Sequence, residues 1–168
     1  MSYVRIWIHA VWGTKNRHPY LTNPIRREVI AHIKENATGK DIYIDTINGY
    51  TEHLHCLISL SADVGISKVM QLIKGESAFW INRQKITQQR FEWADEYFAI
   101  SVSESVLDKV RTYINNQEAH HSKIGFKQEY EKFMSTYKFQ PQEGHRPLTI
   151  YPAPSPEHVE LMNSITKY

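Results

Sequence analysis

Cysteine is nearly absent from this chain: Cys56 stands alone among 168 residues. A single thiol excludes an intramolecular disulfide and any multi-cysteine zinc site. Long hydrophobic runs are missing too. Mean hydropathy is −0.51, and no apolar stretch approaches the roughly 20 residues of a membrane span. The opening Met1-Ser2-Tyr3-Val4-Arg5-Ile6-Trp7 lacks the basic-then-apolar layout of a signal peptide. Neither sign of charge prevails: 20 Lys and Arg against 18 Asp and Glu leave +2, which neither requires nor excludes a nucleic-acid partner. No internal repeat is present. The expectation is a soluble, cytoplasmic protein without a membrane partner.

What is present is globular. Hydrophobic residues make up 41% and charged residues 23%, a balance that supports a packed core. A chain of this length buries roughly two-thirds of its unfolded surface, so it needs no staple to fold. The positive charge is clustered. Lys15, Arg17, Arg26, Arg27, Lys34 and Lys40 face only Glu28 and Glu35, and Lys68, Lys74, Arg83, Lys85 and Arg90 face only Glu76. Solvated helix surfaces explain this plainly, and a basic face is the functional alternative.

Apolar periodicity orders the elements. Residues 3–11 alternate, with Val4, Ile6, Ile8 and Ala10 on one face and Tyr3, Arg5, Trp7 and His9 on the other. That is a strand with one face on the core. Its second face, aromatic and basic together, either stacks bases or is covered by another element. Residues 14–22 read as a loop. Asn23 as N-cap and Pro24 at the first helical position open a helix that Gly39 ends. Asn48-Gly49 between two β-branched runs predicts a hairpin. Ile66, Val69, Met70 and Ile73 predict a second helix over 65–83, in which Gly75 marks either a weak point or a close approach. A short strand follows at 97–102. Ser105 with Asp108 resembles a capping box for a third helix, whose seam is Val106, Val110 and Ile114. Gly125 breaks it, and Phe126, Tyr130, Phe133, Met134 and Tyr137 predict one more.

The order β-α-β-β-α-β with extra helices predicts an α+β, ferredoxin-like antiparallel sheet with helices on one face. The predicted domain covers residues 1–139. Five of the seven prolines lie beyond Phe139, so 140–168 reads as a Pro-rich tail, with a last helical turn from Pro156.

Two motifs carry chemistry. Glu52-His53-Leu54-His55-Cys56 lies on the second hairpin strand, where residues i and i+2 share a face. His53 and His55 therefore project together as a pair of metal ligands, and Cys56 turns into the core. On the third helix, Tyr113 and Gln117 are one turn apart on the same side, displaced from the Ile114 seam. His120 and His121 follow, where a helix C-terminus favours histidine anyway.

His-hydrophobe-His on such a sheet, followed by Tyr-x-x-x-Gln on a later helix, resembles the single-tyrosine HUH transposases. Val11-Trp12-Gly13-Thr14-Lys15-Asn16-Arg17 resembles that family's first-strand exit, Val69-Met70-Gln71-Leu72-Ile73-Lys74-Gly75 its second helix, and Trp93-Ala94-Asp95-Glu96-Tyr97-Phe98-Ala99 the approach to its fourth strand. The resemblance runs from about Tyr3 to Tyr137. Glu52 stands where the family often has Asp, and Glu96 where it often has Gly. The related repeat-associated branch usually follows its tyrosine with Asn-Pro, so Asn115-Asn116-Gln117 fits the insertion-sequence branch better.

The resemblance implies a transposase that cuts and rejoins single-stranded DNA bearing a hairpin. Tyr113 would be the nucleophile, giving a 5′-phosphotyrosine link, and His53, His55 and Gln117 would hold Mg2+ or Mn2+. It implies a homodimer, no small-molecule substrate, and a cytoplasmic, DNA-associated location. Lys15, Arg17, Lys74 and Arg83 are the expected phosphate contacts, which position DNA without reading its sequence. Two other readings stand beside it. One is an inactive or domesticated relative, a binding module whose Tyr3, Arg5 and Trp7 stack bases. The other is a different metal-dependent enzyme, or a structural protein, with Tyr113 only packing.

Overall fold

The strand Ile6–Gly13 (β1) is flanked by a strand on each side, and its residues from His9 onward are buried on both faces. The computed structural model describes residues 3–137. The helix Asn23–Thr38 (α1) and strands Tyr43–Gly49 (β2) and His53–Leu60 (β3) come next. Helix Ile66–Gln84 (α2) and strand Phe98–Val102 (β4) complete the ferredoxin-like core. Then come three helices, Leu107–Asn115 (α3), Gln117–His121 (α4) and Phe126–Thr136 (α5). The sheet order is β2-β3-β1-β4, with every neighbouring pair antiparallel. The boundary at 139/140 and the Pro-rich tail lie outside the described residues. Among the described residues, no helix is long and apolar enough to cross a membrane.

The sheet separates two cores. On one face Ala10, Trp12, Leu54, Cys56 and Ile58 meet Val29 and Ile33 of α1 and Val69, Met70, Ile73 and Ile81 of α2. Burial holds the Cys56 thiol far above its ordinary pKa, as suits a packing residue. On the other face Leu57 and Val102 meet Val106, Leu107, Val110, Tyr113, Ile114 and Phe133. The aromatic and basic face of β1 is thus covered from His9 onward. Trp7 donates its indole N–H to Glu104 at 3.0 Å and Arg5 pairs with the same carboxylate at 2.9 Å. Tyr3, 91% exposed, stands free at the edge of that face.

Several local expectations shift. The first strand begins at Ile6, leaving Val4 half exposed. Asn23 lies inside α1: the Thr22 carbonyl accepts the first helical N–H, from Arg26, at 2.7 Å. Arg26 is buried rather than on a basic surface, bonding the Leu21 carbonyl at 3.1 Å and the Glu118 carboxylate. The hairpin forms, but Gly49 pairs with Leu54 inside the ladder and the turn runs through Tyr50-Thr51-Glu52. Gly75 faces open space, with no close approach. No side-chain cap bond forms before α3; the Ser103 and Ser105 hydroxyls bond each other, and Asp108 pairs with Arg111 instead.

The third helix is anchored by a bulge. Register between β2 and β3 slips at Asp45, between Ile44 and Thr46, and a bulged residue re-aims its side chain. The Asp45 carboxylate meets Arg111 of α3 in a two-pronged contact, Nε at 2.9 Å and Nη2 at 2.8 Å. Arg111 holds the Asp45 carboxyl below its ordinary pKa, against the opposing pull of burial. A lowered folded-state pKa contributes stability that is complete above the unfolded pKa, near 4, and is lost as pH falls below it. Acid below about pH 4 is therefore expected to loosen α3. Asp45→Asn is expected to lower Tm at neutral pH and to flatten the acid limb of the stability curve, as read by thermal melts across pH.

Candidate active site

β3 carries His53 and His55 toward the second core, where both are fully buried. Pairing sets their neighbour: Val11 of β1 lies opposite His55, and Ala10 opposite Cys56. His9 thus shares the face of His53 and His55, and its Nε2 lies 3.0 Å from His55 Nδ1. That contact fixes the His55 ring and leaves His55 Nε2 pointing inward, as the outer hydrogen bond of a metal-binding histidine does. The other ring stacks flat on Phe126 of α5, at 4.2 Å and 5°. Glu52 Oε1 lies 3.4 Å from His53 Nδ1. Burial raises the Glu52 pKa, and the contacts to His53 and Thr51 outweigh it, leaving the carboxylate below its ordinary value.

The Tyr-x-x-x-Gln segment is not one helix. α3 stops at Asn115, Asn116 takes a non-helical conformation, and Gln117 starts α4. The pair survives the break, because Gln117 Nε2 donates to the Tyr113 carbonyl at 3.3 Å. Gln117 Oε1 then faces His53 Nε2 at 3.2 Å. Tyr113 is not displaced from the seam; it lies within it, 3% exposed, its ring edge-on to His55 at 5.4 Å. The structure therefore gathers His53, His55, Tyr113 and Gln117 into one buried pocket.

Three further residues join them. The Tyr113 hydroxyl donates to Glu129 of α5. The Glu129 carboxylate lies 3.5 Å from His55 Nε2, 3.7 Å from His53 Nε2 and 3.1 Å from His121 Nε2. Burial raises its pKa to about 7, partly opposed by His53. Burial likewise lowers His121 to about 3 and holds His55 well below its ordinary value. Both imidazoles are neutral at physiological pH, the form that ligates metals. Alternation along β1 set His9 on the face away from the first core, and the strand pairing joins it to the histidine pair. Glu129 was visible as a carboxylate inside the Phe126-Tyr130-Phe133 stripe, whereas His121, set aside as a helix-end residue, gave no signal of its own.

The donor chemistry fits a cation. His55 Nε2, both ring nitrogens of His121, and Glu129 Oε2 are buried without a well-directed hydrogen bond. Each such atom costs about 1–3 kcal/mol unless something satisfies it.

The basic residues divide between two places. Lys15 and Arg17 follow β1 at the histidine end; Lys15 pairs with Glu92 at 3.1 Å, and Arg17 lies over Phe126 and Tyr130 of α5 at 5.6 and 5.1 Å. Lys74 and Arg83 belong to α2, on the opposite face of the sheet. The Lys74 ammonium bonds the Asp95 carbonyl at 2.8 Å, and burial lowers its pKa. Arg83 is exposed, 6.0 Å from the Phe79 ring.

A ferredoxin-like sheet that sets a His-x-His strand against a tyrosine and a glutamine from two successive helices fits the class of single-tyrosine transposases. The family described as "Transposase IS200 like" matches residues 2–117, and the chain belongs to it. Membership places it among enzymes that cut and join DNA. It is 22% identical over 114 residues to the ISDra2 transposase TnpA of Deinococcus radiodurans, spanning 65% of this chain and 81% of that protein. Its fold is similar to a crystal structure described as a transposase from Deinococcus radiodurans R1, with TM-score 0.57 and 23% identity over 70% of this chain and 95% of that one. It is also similar to a REP-associated tyrosine transposase bound to a REP hairpin, with TM-score 0.56 and 15% identity over 74% and 73%.

Proposed function

We propose that the protein cuts and rejoins single-stranded DNA, with the Tyr113 oxygen as nucleophile. The observation that carries this reading is the convergence of Tyr113, His53, His55 and Gln117, drawn from β3, α3 and α4, into one pocket. The tyrosine oxygen bonds to phosphorus, the 3′-oxygen leaves with its electron pair, and the phenolic proton is released. The result is a 5′-phosphotyrosine link and a free 3′-hydroxyl, which a second strand end can reverse without ATP. His53 Nε2, His55 Nε2 and Gln117 Oε1 would hold Mg2+ or Mn2+. When bound, the cation offsets charge on the phosphoryl oxygens. A free tyrosine titrates near pH 10, so such support matters at neutral pH.

The substrate in this reading is DNA with a hairpin, as bound by the REP-associated relative. Lys15 and Arg17 border the pocket and are the proposed contacts to the strand being cut. Lys74 and Arg83, on the other layer, would contact phosphates farther along. A homodimer in the cytoplasm is the proposed working form. The pocket is closed: Tyr113, His53, His55 and Gln117 are all buried beneath α4 and α5. A phosphodiester reaches the Tyr113 hydroxyl only when Glu129 leaves it, so α5 unseats before the chemistry.

The test is covalent capture. Labelled single-stranded hairpins from the flanks of the gene, with Mg2+ or Mn2+, are expected to give a denaturation-resistant adduct. His53→Ala is expected to bind metal at least about tenfold more weakly and to give no adduct. Hairpin binding without an adduct in the native protein would favour the inactive-relative reading.

A further inference from the structure

His121 and Glu129 lie beyond residue 117, where the family match ends, yet Glu129 reaches both histidines of the pair and His121. One donor atom from each of His53, His55, His121 and Glu129 can be chosen so that all four lie within 4.8 Å of one another. The Glu129 oxygens stand 3.1 Å from His121 Nε2, 3.5 Å from His55 Nε2 and 3.7 Å from His53 Nε2. A tetrahedron with metal–ligand bonds of about 2.0–2.1 Å has edges of roughly 3.4 Å. The contacts to Glu129 are close to that edge, and the wider separations, up to 4.8 Å, would close on a bound cation. His55 Nε2, His121 Nε2 and Glu129 Oε2 are sealed from water and make no well-directed hydrogen bond, although they stand within ion-pair distance of one another through Glu129.

We infer that His53, His55, His121 and Glu129 form a closed four-ligand site for a late first-row divalent cation of the zinc class. The inference rests on the reading of His53 and His55 as metal ligands and adds two residues to it. It differs in donor set and in consequence from the three-ligand arrangement with Gln117. Three imidazoles and one carboxylate suit zinc or cobalt, whereas magnesium prefers oxygen ligands and keeps its waters. Four protein ligands leave no open position, the mark of a structural rather than a catalytic site. Glu129 also receives the Tyr113 hydroxyl, so a cation on its carboxylate pins α5 over the nucleophile. The site would hold the enzyme shut until α5 is displaced.

The experiment uses the full chain, stripped of metal by a chelator and titrated with zinc and with cobalt. The native protein is expected to bind one zinc per chain, to give the intense visible bands of four-coordinate cobalt, and to slow amide exchange in α5 on zinc binding. Glu129→Gln and His121→Ala are each expected to weaken zinc by more than about a hundredfold and to lose those bands. Gln117→Ala is expected to keep them. Circular dichroism checks each fold, and if Glu129→Gln does not fold, His121→Ala decides alone. Equal zinc affinity in native and variant proteins, or a pale six-coordinate cobalt spectrum, would overturn the inference. Adduct formation with manganese is measured on the same native preparation. An adduct without the zinc site sinks only this inference, and a zinc site without an adduct sinks only the proposed chemistry.

Discussion

Tyr113→Phe is expected to abolish the covalent DNA adduct, with the rate falling by at least about four orders of magnitude. The substitution removes one oxygen and keeps the ring. That ring packs with Leu57, Val110, Ile114 and Phe133 and lies edge-on to His55, so the second core persists. What is lost is the hydrogen bond to Glu129. A buried acceptor deprived of its donor costs about 1–3 kcal/mol, which bounds the expected loss of stability. Glu129 softens it, because a carboxyl whose pKa is raised to about 7 can turn neutral at modest cost. Metal binding is expected to remain, since the phenol is not a ligand. The measurement pairs a denaturing gel of labelled hairpin DNA with a zinc or manganese titration. An adduct that survives in Tyr113→Phe would assign the nucleophile to another residue.

The fold was legible because its signals are local. Period-two alternation placed β1, two β-branched runs about Asn48-Gly49 placed the β2–β3 hairpin, and the helical stripes placed α1 and α2. Alternation also put His53 and His55 on one face and Cys56 on the other, as found. The misses share one cause: they depend on contacts between distant segments. Nothing near Asp45 announces a bulge, since a bulge answers to the partner strand. Arg26 looks like any surface charge until α4 brings Glu118 to it. His121 sits at a helix end, where the dipole alone explains a histidine, and only the turn through Ser122–Gly125 brings α5 back to meet it. Glu129 is the instructive case. A carboxylate within an apolar stripe contradicts the stripe unless something buried receives it, and here Tyr113 and the histidines do.

In the proposed chemistry, burial of Tyr113 ties reactivity to the docking of α5. α5 is held by Phe126 on His53, by Phe133 in the second core and by the Glu129 contacts. Each of these is also a contact with the catalytic pocket. The helix cannot leave without exposing the site, and the site cannot be used while the helix is seated. Access to Tyr113 is then a local unfolding equilibrium, set by how strongly those few side chains dock.

Gly49→Ala is expected to destabilise the protein by about 3 kcal/mol and to abolish metal binding. Asn48-Gly49 resembles a turn signal, but its glycine serves a close approach. A Cβ on Gly49 would stand 2.1 Å from the His53 carbonyl oxygen and 2.8 Å from the Leu54 Cα. Both are main-chain atoms, which cannot swing aside as a flexible side chain does. The same His53 carbonyl accepts the Tyr50 N–H at 3.0 Å and so closes the hairpin. Relief requires the turn to open and His53 to move, and His53 is the first proposed metal ligand on that strand. Gly75→Ala is the matched control. Its Cβ meets nothing within 4 Å in the middle of α2, where alanine is favoured over glycine by roughly 0.5–1 kcal/mol. One chemical change thus carries opposite signs at two glycines, read by denaturant melts of both variants. If Gly49→Ala melts with the native protein and still binds metal, the hairpin does not position His53 by this contact.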